Sequence, residues 1–128
     1  MTPLASPELR LLIVEDESLI ALELEDLLAE LGHRVVEVCG TVPRALALVE
    51  RHAGEIDGAI LDANLGGTPA TSIARLLEKR QVPFLIASGY TADELRGLGL
   101  DGPRIGKPYH KQEIASALAA LRPSPSPR

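Results

Sequence analysis

Aromatic residues are scarce in this chain of 128 residues: they make up 2% of the sequence, and tryptophan is absent. A core must therefore be built from leucine, isoleucine, valine and alanine, and the hydrophobic content of 45% allows one. The single cysteine, Cys39, excludes an internal disulfide, and its apolar neighbours predict a small buried side chain. No apolar run approaches the ~20 residues that a membrane-spanning helix needs. The first residues also lack a signal-peptide pattern, so we expect a cytoplasmic protein without membrane contacts.

Negative charge dominates the sequence, with a formal net charge of −5 and many acids between Glu15 and Glu30. Such a surface repels a phosphate backbone, so nucleic acid is not an expected partner. Residues 1–8 are predicted to be a loose lead. Residues 122–128 are predicted to be a disordered tail rich in proline and serine, because proline cannot continue a helix. Residues 9–121 remain as one predicted folded domain.

Strand and helix signals alternate through this domain. Short apolar runs predict five strands, at 9–14, 35–39, 58–61, 82–87 and 103–105. Amphipathic spacing and capping residues predict the intervening helices, at 18–31, at 41–52, after a cap at 68–69, after a capping box at 91–94, and near 114–121. This pattern predicts an α/β fold, (βα)5 and flavodoxin-like. Its parallel sheet has the strand order 2-1-3-4-5, with helices on both faces.

Polar side chains follow four of the predicted strands. Glu15 and Asp16 come after the first strand, Asp62 after the third, Ser88 after the fourth and Lys107 after the fifth. The carboxyl ends of parallel strands meet at one edge of a sheet, where such folds bind ligands. We therefore expect these side chains to lie close together. Three carboxylates, a hydroxyl and a lysine favour a site for a cation and a phosphoryl group.

The chemistry of this set favours magnesium and a covalent phosphoryl group. Carboxylates with room for water suit Mg²⁺, while the three histidines are predicted at helix ends and in loops, which argues against zinc. Asp62 can act as a nucleophile and form an aspartyl phosphate. Lys107 and Ser88 can contact the phosphoryl oxygens. Each residue taken alone also fits an ordinary helix-end, turn or surface role, but their joint placement favours a functional site.

The sequence around these residues resembles the receiver domain of bacterial response regulators, the CheY-like family. Residues 14–17 (Val-Glu-Asp-Glu) are similar to the acidic pair of that family, and residues 61–65 (Leu-Asp-Ala-Asn-Leu) to its phosphoacceptor segment. Ser88 stands at its Thr/Ser position, and residues 107–108 at its Lys-Pro pair. The resemblance covers 9–121.

This resemblance implies specific roles for the site residues. Asp62 would accept a phosphoryl group from a histidine kinase or a histidine phosphotransfer protein. Mg²⁺ would be bound by Asp16, by Asp62 and by the backbone carbonyl of Asn64, with Glu15 assisting through water. The protein would be a signalling protein that phosphorylates and slowly dephosphorylates itself, and not a classical enzyme. A cis peptide bond is expected between residues 107 and 108.

The chain also departs from the family pattern, and one departure, at Ile105, leads to a possible subgroup. Ile105 stands where the usual aromatic switch residue is found. The hypothesis is that Tyr90 replaces it, and the alternative is that Tyr90 is a partly exposed aromatic residue of a loop. Residues 83–90 resemble the Pro-Phe-x-Phe-Ala-Thr-Gly-Tyr signature of stand-alone receivers, with Ile86 and Ser88 as conservative departures. Members of that subgroup act in alphaproteobacterial phosphosignalling, including general stress responses. A single-domain regulator is therefore predicted. It would switch an unknown partner through Ser88, Tyr90, Lys107 and the face of its fourth helix, fifth strand and last helix.

Two other functions remain open at this point. A degenerate receiver would bind partners without being phosphorylated, although the complete acidic set argues against this. A haloacid-dehalogenase-like phosphatase would also use an aspartyl phosphate, and residues 62–64 (Asp-Ala-Asn) are faintly similar to its Asp-x-Asp sequence. In that family, however, the nucleophile follows the first strand of the sheet, and the second aspartate is missing here.

Overall fold

The computed structural model describes residues 8–100 and 102–121. The predicted tail at 122–128 lies outside the described residues, as does the predicted lead apart from Glu8. The strands are β1 Arg10–Val14, β2 Arg34–Cys39, β3 Gly58–Asp62, β4 Asn64–Leu65, β5 Thr68–Pro69, β6 Phe84–Ser88 and β7 Arg104–Gly106. The helices are α1 Ser18–Glu30, α2 Val42–His52, α3 Thr71–Lys79, α4 Ala92–Gly97 and α5 Lys111–Leu121, with a 3₁₀ turn at Ala53–Glu55.

Five strands form one parallel sheet in the order β2-β1-β3-β6-β7. Numbered among themselves, these are strands 2-1-3-4-5, so the predicted topology is confirmed. The strand order reverses between β1 and β3, which places a crevice beyond their carboxyl ends. In the described part of the chain, no helix is long and apolar enough to cross a membrane.

Alternate side chains of the sheet enter two separate cores, one on each face. Leu12 and Val14 of β1 point into the core that α2 and α3 cover, whereas Leu11 and Ile13 point into the core covered by α1 and α5. All four side chains are buried. Cys39 is also buried, as predicted, and burial raises the pKa of its thiol to about 11. The thiol is therefore protonated and inert at neutral pH.

Capping residues fix several helix ends as the sequence predicts. The Thr41 hydroxyl accepts a hydrogen bond from the Arg44 N–H at 3.4 Å and begins α2. Thr91 and Glu94 form the predicted capping box at α4. Gly32 follows α1 with φ of +88°, a left-handed conformation that favours glycine.

The predicted helix cap at Thr68–Pro69 is wrong. These residues form β5 and pair with β4 as an antiparallel hairpin, and α3 begins later, at Thr71. Gly66 and Gly67 connect the two strands with φ of +59° and +96°. Two residues with positive φ make the tight turn that fits the twist of a hairpin, and this overrides the local capping signal.

β6 and β7 begin later than predicted, and in both cases a proline precedes the strand. β6 starts after Pro83 and β7 after Pro103. Each proline lacks an N–H but offers its carbonyl: Pro83 accepts from Ala59 at 3.0 Å, and Pro103 accepts from Ile86 at 2.8 Å. The prolines therefore join the sheet through one group only.

Candidate functional site

Three acidic side chains meet in the crevice beyond β1 and β3. Glu15 follows β1 directly and Asp62 ends β3; they are 4% and 8% exposed, whereas Asp16 is exposed. One carboxylate oxygen from each lies within 4.8 Å of the others. The structure thus brings together the carboxylates that the sequence predicted at this edge, and the group could hold a cation.

Lys107 joins this group from the end of β7, an edge strand of the sheet. It follows β7 and is joined to Pro108 by the expected cis peptide bond. Its Nζ lies 3.2 Å from Glu15 Oε1 and 3.5 Å from Asp62 Oδ2. The ammonium group therefore contacts both buried carboxylates while its side chain remains partly exposed.

Ser88 ends β6, the strand next to β3, and its hydroxyl forms a hydrogen bond outside the acidic group. Asp62 is opposite Ala87 in the β3–β6 register, so Ser88 is one residue further along. The buried Ser88 hydroxyl accepts a hydrogen bond from the Tyr90 backbone N–H at 2.7 Å. The structure therefore pairs Ser88 with the start of the following loop.

Asn64 connects Tyr90 to Asp62 through its side chain and backbone. Its Nδ2 donates to the Tyr90 hydroxyl at 3.3 Å, and its backbone N–H donates to Asp62 Oδ1 at 3.2 Å. Its Oδ1 accepts from the Gly67 N–H at 2.7 Å, which ties the β4–β5 turn to the same residue. The sequence analysis predicted only that the Asn64 backbone carbonyl would bind Mg²⁺. The signal for the additional side-chain role was an amide side chain close to two glycines of a turn, Gly66 and Gly67.

Ile105, the residue at the usual aromatic switch position, is fully enclosed. It is 1% exposed and packs in the core covered by α1 and α5. Isoleucine has no aromatic ring that could rotate between a buried and an exposed orientation, so Ile105 does not fill the role of an aromatic switch. Tyr90 is half-buried and packs against the other core, the one covered by α2 and α3.

Burial and charge set the ionisation of the site. Burial raises the pKa of Asp62 to about 6; the Asn64 N–H and the Lys107 charge oppose this, whereas Glu15 adds to it. Burial alone would lower the pKa of Lys107, but the charges of Asp62 and Glu15 raise it above its ordinary value. At neutral pH the site therefore contains an ammonium group between carboxylates.

Burial and the same charges also act on Tyr109, which lies two residues after the lysine. Its side chain is buried, and burial together with the Glu15 and Asp62 charges raises its phenol pKa. The phenol therefore stays neutral next to the carboxylates.

Comparison with known proteins agrees with this geometry. No protein-family model matches the chain. The solution structure of SdrG from Sphingomonas melonis Fr1 is 45% identical, with a TM-score of 0.76 over 89% of this chain and 96% of that one. The response regulator REC domain of PhyR from Erythrobacter litoralis is 24% identical, with a TM-score of 0.78 over 97% of this chain and 99% of that one. The chain belongs to the receiver-domain family of response regulators.

Curated relatives of this receiver are longer proteins. The transcriptional regulatory protein TcrA of Mycobacterium tuberculosis is 33% identical over 125 residues, which are 93% of this chain and 48% of TcrA. The chain thus spans about half the length of the curated relatives it matches. Proteins of this receiver family are signalling proteins rather than classical enzymes.

Proposed function

We propose that this receiver is a cytoplasmic phosphorylation switch in which Asp62 accepts a phosphoryl group from a histidine kinase or a histidine phosphotransfer protein. One observation carries the proposal: Lys107 Nζ lies 3.2 Å from Glu15 and 3.5 Å from Asp62. Asp16 brings a third carboxylate to within 4.8 Å of the other two. An ammonium group beside buried carboxylates suits a site that must accept the additional negative charge of a phosphoryl group.

The transfer uses Asp62 as a nucleophile. A carboxylate oxygen forms the new bond to phosphorus while the bond from phosphorus to the donor imidazole nitrogen breaks, and the imidazole leaves with that electron pair. The pKa of about 6 leaves Asp62 mostly ionised at neutral pH. Lys107 neutralises charge on the phosphoryl oxygens, and the Asn64 N–H fixes the carboxylate orientation at Oδ1.

The acidic group fits Mg²⁺ as its cofactor. Its donors are all carboxylate oxygens, and the exposure of Asp16 leaves room for water ligands. Glu15, Asp16, Asp62 and the backbone carbonyl of Asn64 are the proposed set around the ion. When bound, Mg²⁺ offsets the repulsion between the carboxylates and the charge of the phosphoryl group.

Intact mass spectrometry after incubation with acetyl phosphate and Mg²⁺ tests this proposal. The wild type should gain one phosphoryl group, and Asp62→Asn should gain none. Asp26→Asn, which neutralises an exposed acid elsewhere on α1, should react like the wild type.

An unmodified wild type would contradict the phosphorylation switch and leave the degenerate binding module. Sustained release of inorganic phosphate from a generic phosphate ester would instead favour the haloacid-dehalogenase-like phosphatase.

The start of α1 offers a docking surface for the phosphoryl donor. Leu19 and Leu22 are 81% and 54% exposed, the large hydrophobic side chains that the described residues leave in solvent. Their spacing places them on one side of the helix, and α1 begins two residues after Asp16. Exposed apolar side chains next to a reactive site favour packing against a helix of a phosphotransfer protein.

Substitution of both leucines separates docking from chemistry. In Leu19→Ser combined with Leu22→Ser, transfer from a phosphorylated histidine phosphotransfer protein should slow by about tenfold, the effect of losing ~1.4 kcal/mol of contact. Phosphorylation by acetyl phosphate should be unchanged because Asp62 is intact. An equal loss with both donors would contradict the docking role.

The change on phosphorylation is proposed to pass through Ser88 and Tyr90. The Ser88 hydroxyl accepts from the Tyr90 N–H, so its movement towards a phosphoryl group releases the start of the loop before α4. The Tyr90 hydroxyl is linked to Asn64 in the same region. The loop and the face formed by α4, β7 and α5 would then change together and alter partner affinity.

Hydrogen exchange of α4 before and after phosphorylation tests this route. The wild type should show a change in α4 exchange, and Tyr90→Ala should reduce it. Tyr90→Phe keeps the ring and removes the hydroxyl that meets Asn64. If Tyr90→Ala is phosphorylated and shows the full change, Tyr90 is not the switch.

The similarity to SdrG supports placing this chain in the stand-alone subgroup with the 83–90 signature. The PhyR stress response regulator is about twice the length of this chain, so the likeness to its receiver supports the pathway and not the stand-alone form. A role in alphaproteobacterial stress signalling is the pathway proposed on these grounds. Under this proposal, the downstream partner is a protein that binds the face of α4, β7 and α5.

A further inference from the structure

A cleft of about 550 Å³ lies between β2 and α2, at the other end of the sheet from the acidic site. Arg10 and Arg34 begin β1 and β2, whereas Glu15 and Asp62 stand at the carboxyl ends of their strands. The volume is within the range of sites that bind ligands. This cleft takes no part in the proposed phosphorylation.

The cleft combines an apolar floor with a basic rim. Val36 of β2, Leu48 of α2 and the buried Ile56 supply the apolar part. The rim holds four arginines against two glutamates, in a chain whose net charge is −5: Arg10, Arg34, Arg44, Arg51, Glu37 and Glu55. The local sign of charge is thus opposite to that of the whole protein.

Two of the rim arginines are left for a ligand. Arg10 pairs with Asp57 at 3.0 Å, and Arg44 pairs with Glu37 at 3.4 Å. Within the described residues, Arg34 and Arg51 have neither an ion pair nor a side-chain hydrogen bond. His52, also on the rim, lies 3.1 Å from Glu55 Oε1 through its Nδ1. Two free guanidinium groups beside apolar side chains complement carboxylates on an amphipathic ligand.

The strand that borders the cleft is an edge of the sheet. β2 pairs with β1 on one side and with no other described strand, so its second side presents unpaired backbone N–H and C=O groups. Most of its side chains are only half-buried. An extended peptide can pair with such an edge and place alternate side chains on the same face.

We propose that the β2–α2 cleft binds an extended acidic segment of a partner protein. The carboxylates of the segment contact Arg34 and Arg51, its apolar side chains cover Val36 and Leu48, and its backbone lies along β2. Charge complementarity and the unpaired strand edge together select this occupant. The site is separate from Asp62, so its occupation does not require phosphorylation.

Three matched peptides of about eight residues, the length of a strand, test the proposal. The first carries glutamate and valine in turn at every second position, with threonine between them, so that both types of side chain lie on the face towards the cleft. The second replaces glutamate by glutamine, and the third replaces valine by serine. Titration followed by NMR should show saturable binding of the first, with amide shifts in β2 and α2. The second and third should bind at least about tenfold more weakly, because the second lacks the carboxylates and the third lacks the apolar side chains.

Charge reversal locates the binding. Arg34→Glu combined with Arg51→Glu should weaken the glutamate–valine peptide by about tenfold or more. Arg75→Glu makes the same change at an exposed arginine on α3 and should leave affinity unchanged. Thermal unfolding of each variant checks that the fold is retained. All titrations are done without a phosphoryl donor, so their outcome is independent of Asp62.

Three results would overturn the assignment. They are no saturable binding of the glutamate–valine peptide, equal binding of the glutamate–serine peptide, and an equal effect of Arg75→Glu. Sedimentation gives a further check: self-association that the double charge reversal abolishes would show a second copy of this chain in the cleft instead.

Discussion

Glu15, Asp62 and Lys107 form one group of opposite charges. Glu15 and Asp62 are buried, and each lies within ion-pair distance of Lys107 Nζ. Loss of the ammonium group would leave two buried carboxylates facing each other, a costly arrangement. Positive charge is therefore favourable beside these carboxylates, and this is the electrostatic property that a cation site needs.

Magnesium should therefore stabilise the folded protein. At a concentration about ten times its Kd, an ion that binds only the native state adds about 1.4 kcal/mol to the free energy of unfolding. Asp16→Asn should lose most of this gain, because it removes the exposed carboxylate of the group. Thermal unfolding with and without Mg²⁺ measures the effect. Asp26→Asn serves as control, and an equal gain in Asp16→Asn and Asp26→Asn would contradict the proposed ligand set.

The Arg10–Asp57 pair should make stability depend on pH. Hydrogen bonds from Arg10 lower the pKa of Asp57, partly against the effect of burial. Because the folded-state pKa is depressed, the stabilising contribution is present above the unfolded pKa and disappears as pH falls through the folded value.

Asp57→Asn should consequently reduce the free energy of unfolding slightly at neutral pH, and the difference from wild type should shrink on acidification below about pH 4. Urea unfolding over a pH series measures this difference. A difference that grows in acid would show that the Asp57 carboxylate is not stabilised by the pair.

The location of the charged side chains of the site could be predicted from the sequence, but their hydrogen-bond partners in the loops could not. The rule that strands end at one sheet edge located Glu15, Asp16, Asp62 and Lys107 in advance. The hydrogen bond from Asn64 to Tyr90 depends on the path of two loops, for which the sequence carries no periodic signal. Contacts between residues of different loops can be identified only from the tertiary structure.

At the scale of elements, local signals competed at 64–71. Thr68–Pro69 has the composition of a helix cap, yet Gly66 and Gly67 close a hairpin first. Glycine pairs with positive φ favour two-residue turns more strongly than a Thr-Pro pair favours a helix start. Elements with a single clear signal, such as the capping box at Thr91, formed as predicted.

Gly32 and Gly54 provide a matched pair for testing the role of a helix end. Gly32 has φ of +88°, Gly54 has no positive φ, and an added Cβ would meet nothing within 4 Å at either site. Gly32→Ala should lower the free energy of unfolding by about 1 kcal/mol because alanine is strained there. Gly54→Ala should change it by less than about 0.5 kcal/mol. Equal effects in urea unfolding would contradict the backbone explanation.

At the scale of the whole molecule, the fold follows from one property: continuous apolar strands must be covered on both faces. Alternating helices supply that cover, and right-handed crossovers then fix the strand order. The topology was therefore predictable without aromatic residues in quantity. The cleft between β2 and α2 was not predictable, because its rim draws arginines from β1, β2 and α2.

The two-sided core should make the sheet sensitive to truncation. Leu85 of β6 is fully buried in the core covered by α1 and α5, so Leu85→Ala should cost about 2–5 kcal/mol of unfolding free energy. Leu22→Ala removes the same atoms from an exposed site and should cost less than about 0.5 kcal/mol. Chemical denaturation compares the two, and similar losses would show that Leu85 is not in a close-packed core.

The absence of tryptophan gives the two tyrosines an unobstructed optical signal. Tyr90 meets Asn64 through its hydroxyl, and Tyr109 lies where the Glu15 and Asp62 charges reach its phenol. Both chromophores therefore border the acidic site. Ultraviolet emission from the unlabelled protein can consequently follow ion binding and phosphoryl transfer in real time, and Tyr90→Phe separates one emitter from the other.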